Sequence, residues 1–366
     1  MSITASTSFY LKLANSLAMF PFEIQKSPRG KISFVYNAKS YIARSLMKAI
    51  ICFTAQLNLT MDYLVKEHFS LSSWAFALAN FIVMFNLVWI YSFLIYYRNK
   101  VRNFFRKTRS CTTEMQEWIS SRPHYKVDYI VIPQLTFCFF ILIYHCYSFS
   151  VYDFFIYTLG TTLPNIAICL AIFQFVDYVL HTKSYFVHLN RELNCAKDTN
   201  HLEYLLHFYI RLLSITKEIN KAFGYQNILV ITKSYIWICY QLYYILVILR
   251  NGFADRCEFR NFLFAISWSA VEVISVTSIL ITCDLTKWEI DRFRVLFVSR
   301  LGKTGGDQAD IKRLLLKLLN SDFVFKARGW FDLNVAFIFQ ILGGCITLIS
   351  IMIHFAPSLN PEAESA

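Results

Sequence analysis

The residues with the reach to do chemistry lie inside apolar runs. The stretch GWFDLNVAFIFQILGGCITLISIMIHF, Gly329 to Phe355, carries Gln340, Thr347 and His354 at intervals of seven, with Ser350 within half a turn of the same line. Seven-residue intervals on a helix bring side chains to nearly one face. A polar seam is costly against lipid, so it either hydrogen-bonds to other helices or faces an aqueous path. Glu272 lies in a second apolar run, where an ionisable group marks a cavity, a ligand contact or an internal hydrogen bond.

Arrangements for covalent chemistry fail one by one. LGKTGGD resembles a phosphate loop, but the glycine required five positions before Gly302 is Phe297 and no strand precedes it, so it reads as a flexible loop. The eight histidines show no H-E-x-x-H spacing, the ten cysteines no paired C-x-x-C, and no G-x-S-x-G elbow occurs. The reading is of a protein that is not an enzyme, with no metal and no cofactor.

Composition says what must position these residues. The 366 residues are 56% hydrophobic and only 16% charged, against about a quarter charged in soluble domains, which indicates a polytopic membrane protein. The net charge of +12 does not imply nucleic acid, because Lys and Arg cluster between the apolar runs. Seven runs are long enough to cross about 30 Å of hydrocarbon as helices: 40–61, 73–97, 127–148, 153–180, 225–249, 261–284 and 332–355. Continuous Leu/Ile/Phe-rich runs exclude barrel strands, and Met1 to Lys39 is polar and mixed rather than a cleavable signal.

Basic residues set the orientation. Segments 1–39, 98–126, 181–224 and 285–331 hold five, eight, six and ten Lys or Arg, while the alternate connections hold only Lys66, Arg250, Arg256 and Arg260. The positive-inside rule therefore puts the amino terminus in the cytosol and the carboxyl terminus outside. The sequon Asn58-Leu59-Thr60 falls on the outer side, where Asn58 is a candidate for glycosylation. Cys146 and Cys257 also lie near the outer face, where a bridge is permitted.

The cytosolic connections are patterned. In HLEYLLHFYIRLLSITKEINKAFG, residues Leu202, Leu205, Leu206, Tyr209, Leu212, Leu213, Ile219 and Phe223 recur at helical spacing. DIKRLLLKLLNSDFVF puts Ile311, Leu314, Leu315, Leu318 and Leu319 on one face. Apolar stripes in water need partners, so the fourth and fifth spans are expected to extend into the cytosol, with the short helix before the seventh packed on them; lying on the bilayer surface is the alternative. The expected fold class is an all-α membrane protein of seven transmembrane helices with helical cytosolic extensions. Regions 181–224 and 286–330 are its cytosolic anchor-helix regions, and 332–355 is its last helix.

Two stretches carry a resemblance to the insect gustatory receptors, within the insect seven-helix chemoreceptor superfamily that includes odorant receptors. TLISIMIHF, Thr347 to Phe355, resembles the family signature TYhhhhhQF, with h apolar; Leu348 stands for the tyrosine and His354 for the glutamine. FKARGWFDLN is similar to the aromatic-Gly-aromatic stretch that enters the family's last helix. The resemblance implies a ligand-gated, nonselective cation channel of four subunits, opened by small-molecule tastants of the bitter type in the plasma membrane of gustatory sensory neurons. The alternatives are an odorant-receptor-like subunit or a non-conducting receptor that signals through a cytosolic partner. The seventh helices would surround the pore, with Gln340, Thr347, Ser350, His354 and Phe355 at the pore or gate. The partners are then a tastant, other receptor subunits as a homo- or heterotetramer, and the lipid bilayer. The tastant site would use the outer halves of the first six helices, with Tyr144, Tyr240, Gln241, Tyr244, Trp268 and Glu272 as candidate contacts. Interfacial anchoring explains single Tyr and Trp residues equally well.

Overall fold

The structure, a computed structural model, describes residues 23–26, 32–35, 38–66, 71–96, 158–196, 198–252, 256–302 and 308–355. An antiparallel hairpin of β1 (Glu23–Lys26) and β2 (Ile32–Val35) precedes α1 (Ala38–Lys66) and α2 (Leu71–Tyr96). A π-helical turn, Thr158–Thr162, leads into α3 (Leu163–Cys195), followed by α4 (Thr199–Asn251), α5 (Arg256–Leu301) and α6 (Gln308–Leu319). A second hairpin, β3 (Lys326–Ala327) with β4 (Phe331–Asp332), feeds α7 (Ala336–Phe355). The two small hairpins are the departures from an all-α reading. Helices dominate because apolar segments in lipid must satisfy every backbone N–H and C=O internally.

Six of the seven expected spans coincide with helices, while 127–148 lies outside the described residues. Among the described residues, four helices are long and apolar enough to cross a membrane: Leu159–Cys195, Thr199–Arg250, Phe259–Leu301 and Ala336–His354. Phe76–Ser92 is a further apolar stretch within α2. The 53 residues of α4 span about 80 Å at ~1.5 Å per residue, more than twice the hydrocarbon thickness. The 46 residues of α5 are similarly too long. Both helices are therefore longer than a crossing needs and project beyond it.

The projecting parts form a core of their own. All eight residues of the stripe from Leu202 to Phe223 are buried, and the Tyr209 ring stacks on Phe293 of α5 at 4.3 Å. Burial of a large apolar side chain from water contributes about 1.5–3 kcal/mol, and this stripe packs into one core with residues of α3 and α5. Asn190 of α3 donates from Nδ2 to the Glu289 carbonyl at 3.0 Å and to its carboxylate at 2.8 Å, a buried tie between α3 and α5. The α6 helix docks through Leu314 and Leu318, which are buried, while Arg313 and Lys317 reach Glu203 of α4. Leu319 departs from the expected face: it is 70% exposed, because the helix ends there and the chain turns at Asn320. Ile311 has no described side chain.

The segment between α6 and α7 is tightly specified. Asp322 accepts the Phe323 N–H at 2.9 Å and pairs with Arg294 at 2.9 Å; these two contacts, in that order, hold its carboxyl below the usual carboxylate range. The β3–β4 turn has Arg328 and Gly329 at positive φ, 51° and 87°, with Trp330 N–H bonded to the Ala327 carbonyl at 3.0 Å. Arg328 and Gly329 reverse the chain and, with Trp330, make the three-residue connection between the paired Ala327 and Phe331. The hairpin sits on α4: a Cβ at Gly224 would lie 3.1 Å from the Arg328 nitrogen, and the Arg328 guanidinium covers the Tyr225 ring at 4.6 Å. Asn334 then caps α7 by accepting the Phe337 N–H at 3.0 Å.

Candidate functional site

Two places in the fold gather the sequence-predicted residues. The first lies between α4 and α5. Lys233 of α4 forms an ion pair with Glu272 of α5, and Ser234 donates from Oγ to the second carboxylate oxygen at 2.6 Å. Both charged side chains are only 3% exposed, so the pair is buried and losing either partner would strand the other. Sequence reasoning singled out Glu272 but missed Lys233. The signal was present, since a lysine inside an apolar run is as expensive as a glutamate, but spacing along one helix does not reveal its partner on another.

One turn further along α4 begins an aromatic cradle. Phe76 of α2 approaches Tyr240 at 5.7 Å and Trp237 at 6.3 Å, and Tyr240 and Tyr244 stack at 6.4 Å. Tyr240 and Gln241 are buried and Tyr244 is half-buried. Trp268, one turn before Glu272, is fully buried with its edge against Phe264 at 6.1 Å. Neither Trp237 Nε1 nor Trp268 Nε1 has a hydrogen-bond partner among the described residues. The structure thus brings together Tyr240 and Tyr244, and joins Glu272 to α4. Tyr144 and Cys146 lie outside the described residues, as does the side chain of Cys257. Asn58 is exposed on α1, inside the helix rather than in a loop.

The second place is α7. Cys345, Ile349 and Met352 are buried, and Cys345 clusters with Ile238 and Cys239 of α4. A Cβ at Gly344 would sit 3.0 Å from Tyr235 Oη, so this glycine seats α7 closely on α4; one at Gly343 would meet nothing within 4 Å. Gln340, Thr347, Ser350 and His354 are all exposed on the subunit. At ~100° per residue, Thr347 lies about 160–200° from Cys345 and Ile349 around the axis, so the polar seam points away from α4. Thr347 and Ser350 donate to the carbonyls of Gly343 and Ile346 in their own helix, at 3.0 and 2.8 Å. The side chain of Phe355 lies outside the described residues.

Among the described residues no group of three His, Cys, Asp or Glu side chains is placed to hold a metal ion. The arrangement offers instead a buried aromatic and ion-paired region beside a helix with an uncovered polar face.

The structure is similar to that of the insect olfactory receptor OR5 from Machilis hrabei, with a TM-score of 0.67 at 10% identity over 95% of this chain and 98% of that one. It is also similar to the same receptor in complex with eugenol, with a TM-score of 0.58 at 9% identity and the same coverage. At such identities the likeness establishes the fold, that of an all-α membrane protein. No curated protein matches the sequence. The description 7tm chemosensory receptor, however, fits residues 7–358, nearly the whole length, and on that match the chain belongs to the 7tm chemosensory receptor family.

Proposed function

We propose that this protein is a gustatory-type receptor subunit, a ligand-gated nonselective cation channel that small tastants of the bitter type open. In this reading four subunits, identical or mixed, place their α7 helices around a pore in the plasma membrane of gustatory neurons. The amino terminus and the anchor-helix regions 181–224 and 286–330 are cytosolic, and the carboxyl terminus is outside. The observation that carries the reading is the geometry of α7: only 11% of its apolar window is buried, and Gln340, Thr347, Ser350 and His354 share the uncovered side. Polar groups on that side are expensive against lipid and favourable along water. Phe355 would close the outer end of the same path. The cradle of Tyr240, Gln241, Tyr244, Trp268 and Glu272, with Tyr144, would bind the ligand. Its aromatic walls with few polar groups suit a small organic molecule, and the eugenol complex of the structural neighbour supports small-molecule recognition on this fold.

The test is a ligand-evoked current in excised membrane patches from cells expressing the protein, screened with bitter compounds and sugars, alone and with other receptor subunits. Current without cytosol supports the channel. A response that requires cytosol supports a non-conducting receptor with a cytosolic partner. An odorant-receptor-like subunit is the second reading, favoured by the likeness to an olfactory receptor, and volatile ligands in the same assay distinguish it.

A further inference from the structure

Between α1, α2 and the start of α3 lies a polar cluster that neither the aromatic cradle nor the pore helix uses. Gln56 of α1 donates from Nε2 to Asn80 Oδ1 of α2. Gln56 is 2% exposed and Asn80 0%, yet Gln56 Oε1 and Asn80 Nδ2 have no hydrogen-bond partner among the described residues. The π-helical turn is pressed against them: a side chain at Gly160 would meet the Gln56 backbone nitrogen at 3.1 Å and the Ala55 carbonyl oxygen at 3.3 Å. In the adjoining turn Thr161 and Asn165 are 4% and 1% exposed, and Thr161 Oγ1 and Asn165 Oδ1 likewise have no partner. Asn165 spends its amide on the Thr161 carbonyl at 2.9 Å, which leaves its oxygen free to accept.

An amide pair serving only to hold two helices together satisfies itself, because an unpartnered buried polar atom bears its full desolvation cost. Here four atoms, on α1, α2, the π-helical turn and α3, bear it. The cluster also adjoins the cradle. Gln56 lies one turn from Leu59, and Asn80 one turn from Phe76, on α1 and α2 respectively; Leu59 and Phe76 pack with Trp237 and Tyr240. An aromatic wall and an unsatisfied polar end therefore meet in one region.

We propose that Gln56 and Asn80, with Thr161 and Asn165, form the polar end of the small-molecule site and select neutral aromatic alcohols over their ethers. Gln56 Oε1 and Asn165 Oδ1 accept, Asn80 Nδ2 donates, and the Thr161 hydroxyl does either. A ligand hydroxyl, which both donates and accepts, matches this set, whereas an ether oxygen only accepts and leaves the amide oxygens unpaired. Among the described residues the cluster contains no ionised side chain to offset a ligand charge, and Lys233 and Glu272 are paired with each other. The inference rests on reading the cradle of Phe76, Trp237 and Tyr240 as the wall of the ligand site.

The test uses the full-length receptor in lipid nanodiscs and two probe pairs, benzyl alcohol and 2-phenylethanol, each against its methyl ether. Equilibrium binding is followed by tryptophan fluorescence, with current recorded in parallel. The alcohols should bind about tenfold more tightly than the ethers, as expected for one or two net hydrogen bonds. Asn80→Leu should bring that ratio close to one, and so should Thr161→Val, which is nearly isosteric and keeps the test open should Asn80→Leu fail to reach the membrane. An alcohol-to-ether ratio near one in the unmodified protein, a ratio unchanged in the variants, or no saturable binding of either member overturns the proposal. Alcohol-selective binding without any current would overturn the channel reading and leave this one standing; currents evoked equally by alcohol and ether would do the reverse.

Discussion

Removing the Glu272 charge should unbalance the bundle, and replacing both charges together should largely restore it. In Glu272→Gln the side chain keeps its shape and its hydrogen bond with Ser234, but Lys233 remains a 3% exposed ammonium with no counter-charge. Stranding one member of a buried ion pair costs about 3–5 kcal/mol, whereas exchanging the whole pair for apolar groups of similar volume is often neutral or better. Lys233→Met alone should cost a similar amount, because it strands the carboxylate. The double variant Lys233→Met/Glu272→Gln, which leaves no charge stranded, should therefore be far more stable than the two single effects added, with a coupling of several kcal/mol. The assay is thermal unfolding of detergent-solubilised receptor for the four proteins of the cycle, alongside surface expression. Because α4 also carries Trp237 and Tyr240, Glu272→Gln molecules that reach the surface should show altered ligand potency or efficacy. Additive losses in the double variant would refute the pairing. An unchanged dose response of Glu272→Gln at normal surface expression would assign the pair a purely structural role.

Three further outcomes follow from other parts of the fold. An epitope tag after Ala366 should stain in unpermeabilised cells and one before Met1 should not; the reverse pattern refutes the orientation drawn from the basic residues. Gly344→Ala should destabilise the subunit by about 1–3 kcal/mol through crowding of Tyr235, while Gly343→Ala, which meets nothing, should gain roughly 0.5–1 kcal/mol of helix propensity; equal melting temperatures would show that α7 does not seat on α4 through Gly344. On the proposed channel reading, external acidification should reduce inward cation current and His354→Gln should lose most of that sensitivity at matched surface expression; identical acid responses would remove His354 from the proposed pore.

What was legible in the sequence is what a single helix dictates by itself. Run length located α1, α2, α3, α4, α5 and α7, and period told which side of the 202–223 stripe would be buried, because both depend on residues in one segment. Neighbour relations were not legible. Nothing in the spacing of α5 says that Glu272 meets Lys233 of α4 rather than a ligand, and nothing in α1 says that Gln56 meets Asn80. The Arg328–Gly329 turn was hidden for a different reason: strands of two residues carry no period, and the aromatic-Gly-aromatic pattern marks the place without naming its hairpin. Leu319 was misplaced because a stripe projected to the last residue assumes a helix that continues, and this one ends.

The seam on α7 shows how the two kinds of information combine. Spacing alone made Gln340, Thr347 and His354 share a face, but left open whether that face hydrogen-bonds within the subunit. The structure answers with the opposite face: Cys345, Ile349 and Met352, at intervals of four and three, are the ones buried. A helix has only one circumference, so once those three are turned inward the polar residues are turned out. There Thr347 and Ser350 meet their polar needs by bonding back to their own helix. Large apolar residues share the outward side, with Phe339 73% and Ile346 67% exposed. A face that mixes uncovered Phe and Ile with Gln, Thr and His is poorly matched both to lipid throughout and to water throughout. It is matched to an assembly in which neighbouring copies cover the apolar part and a water-filled path meets the polar part, which is the arrangement that the patch-current and His354 experiments put at risk.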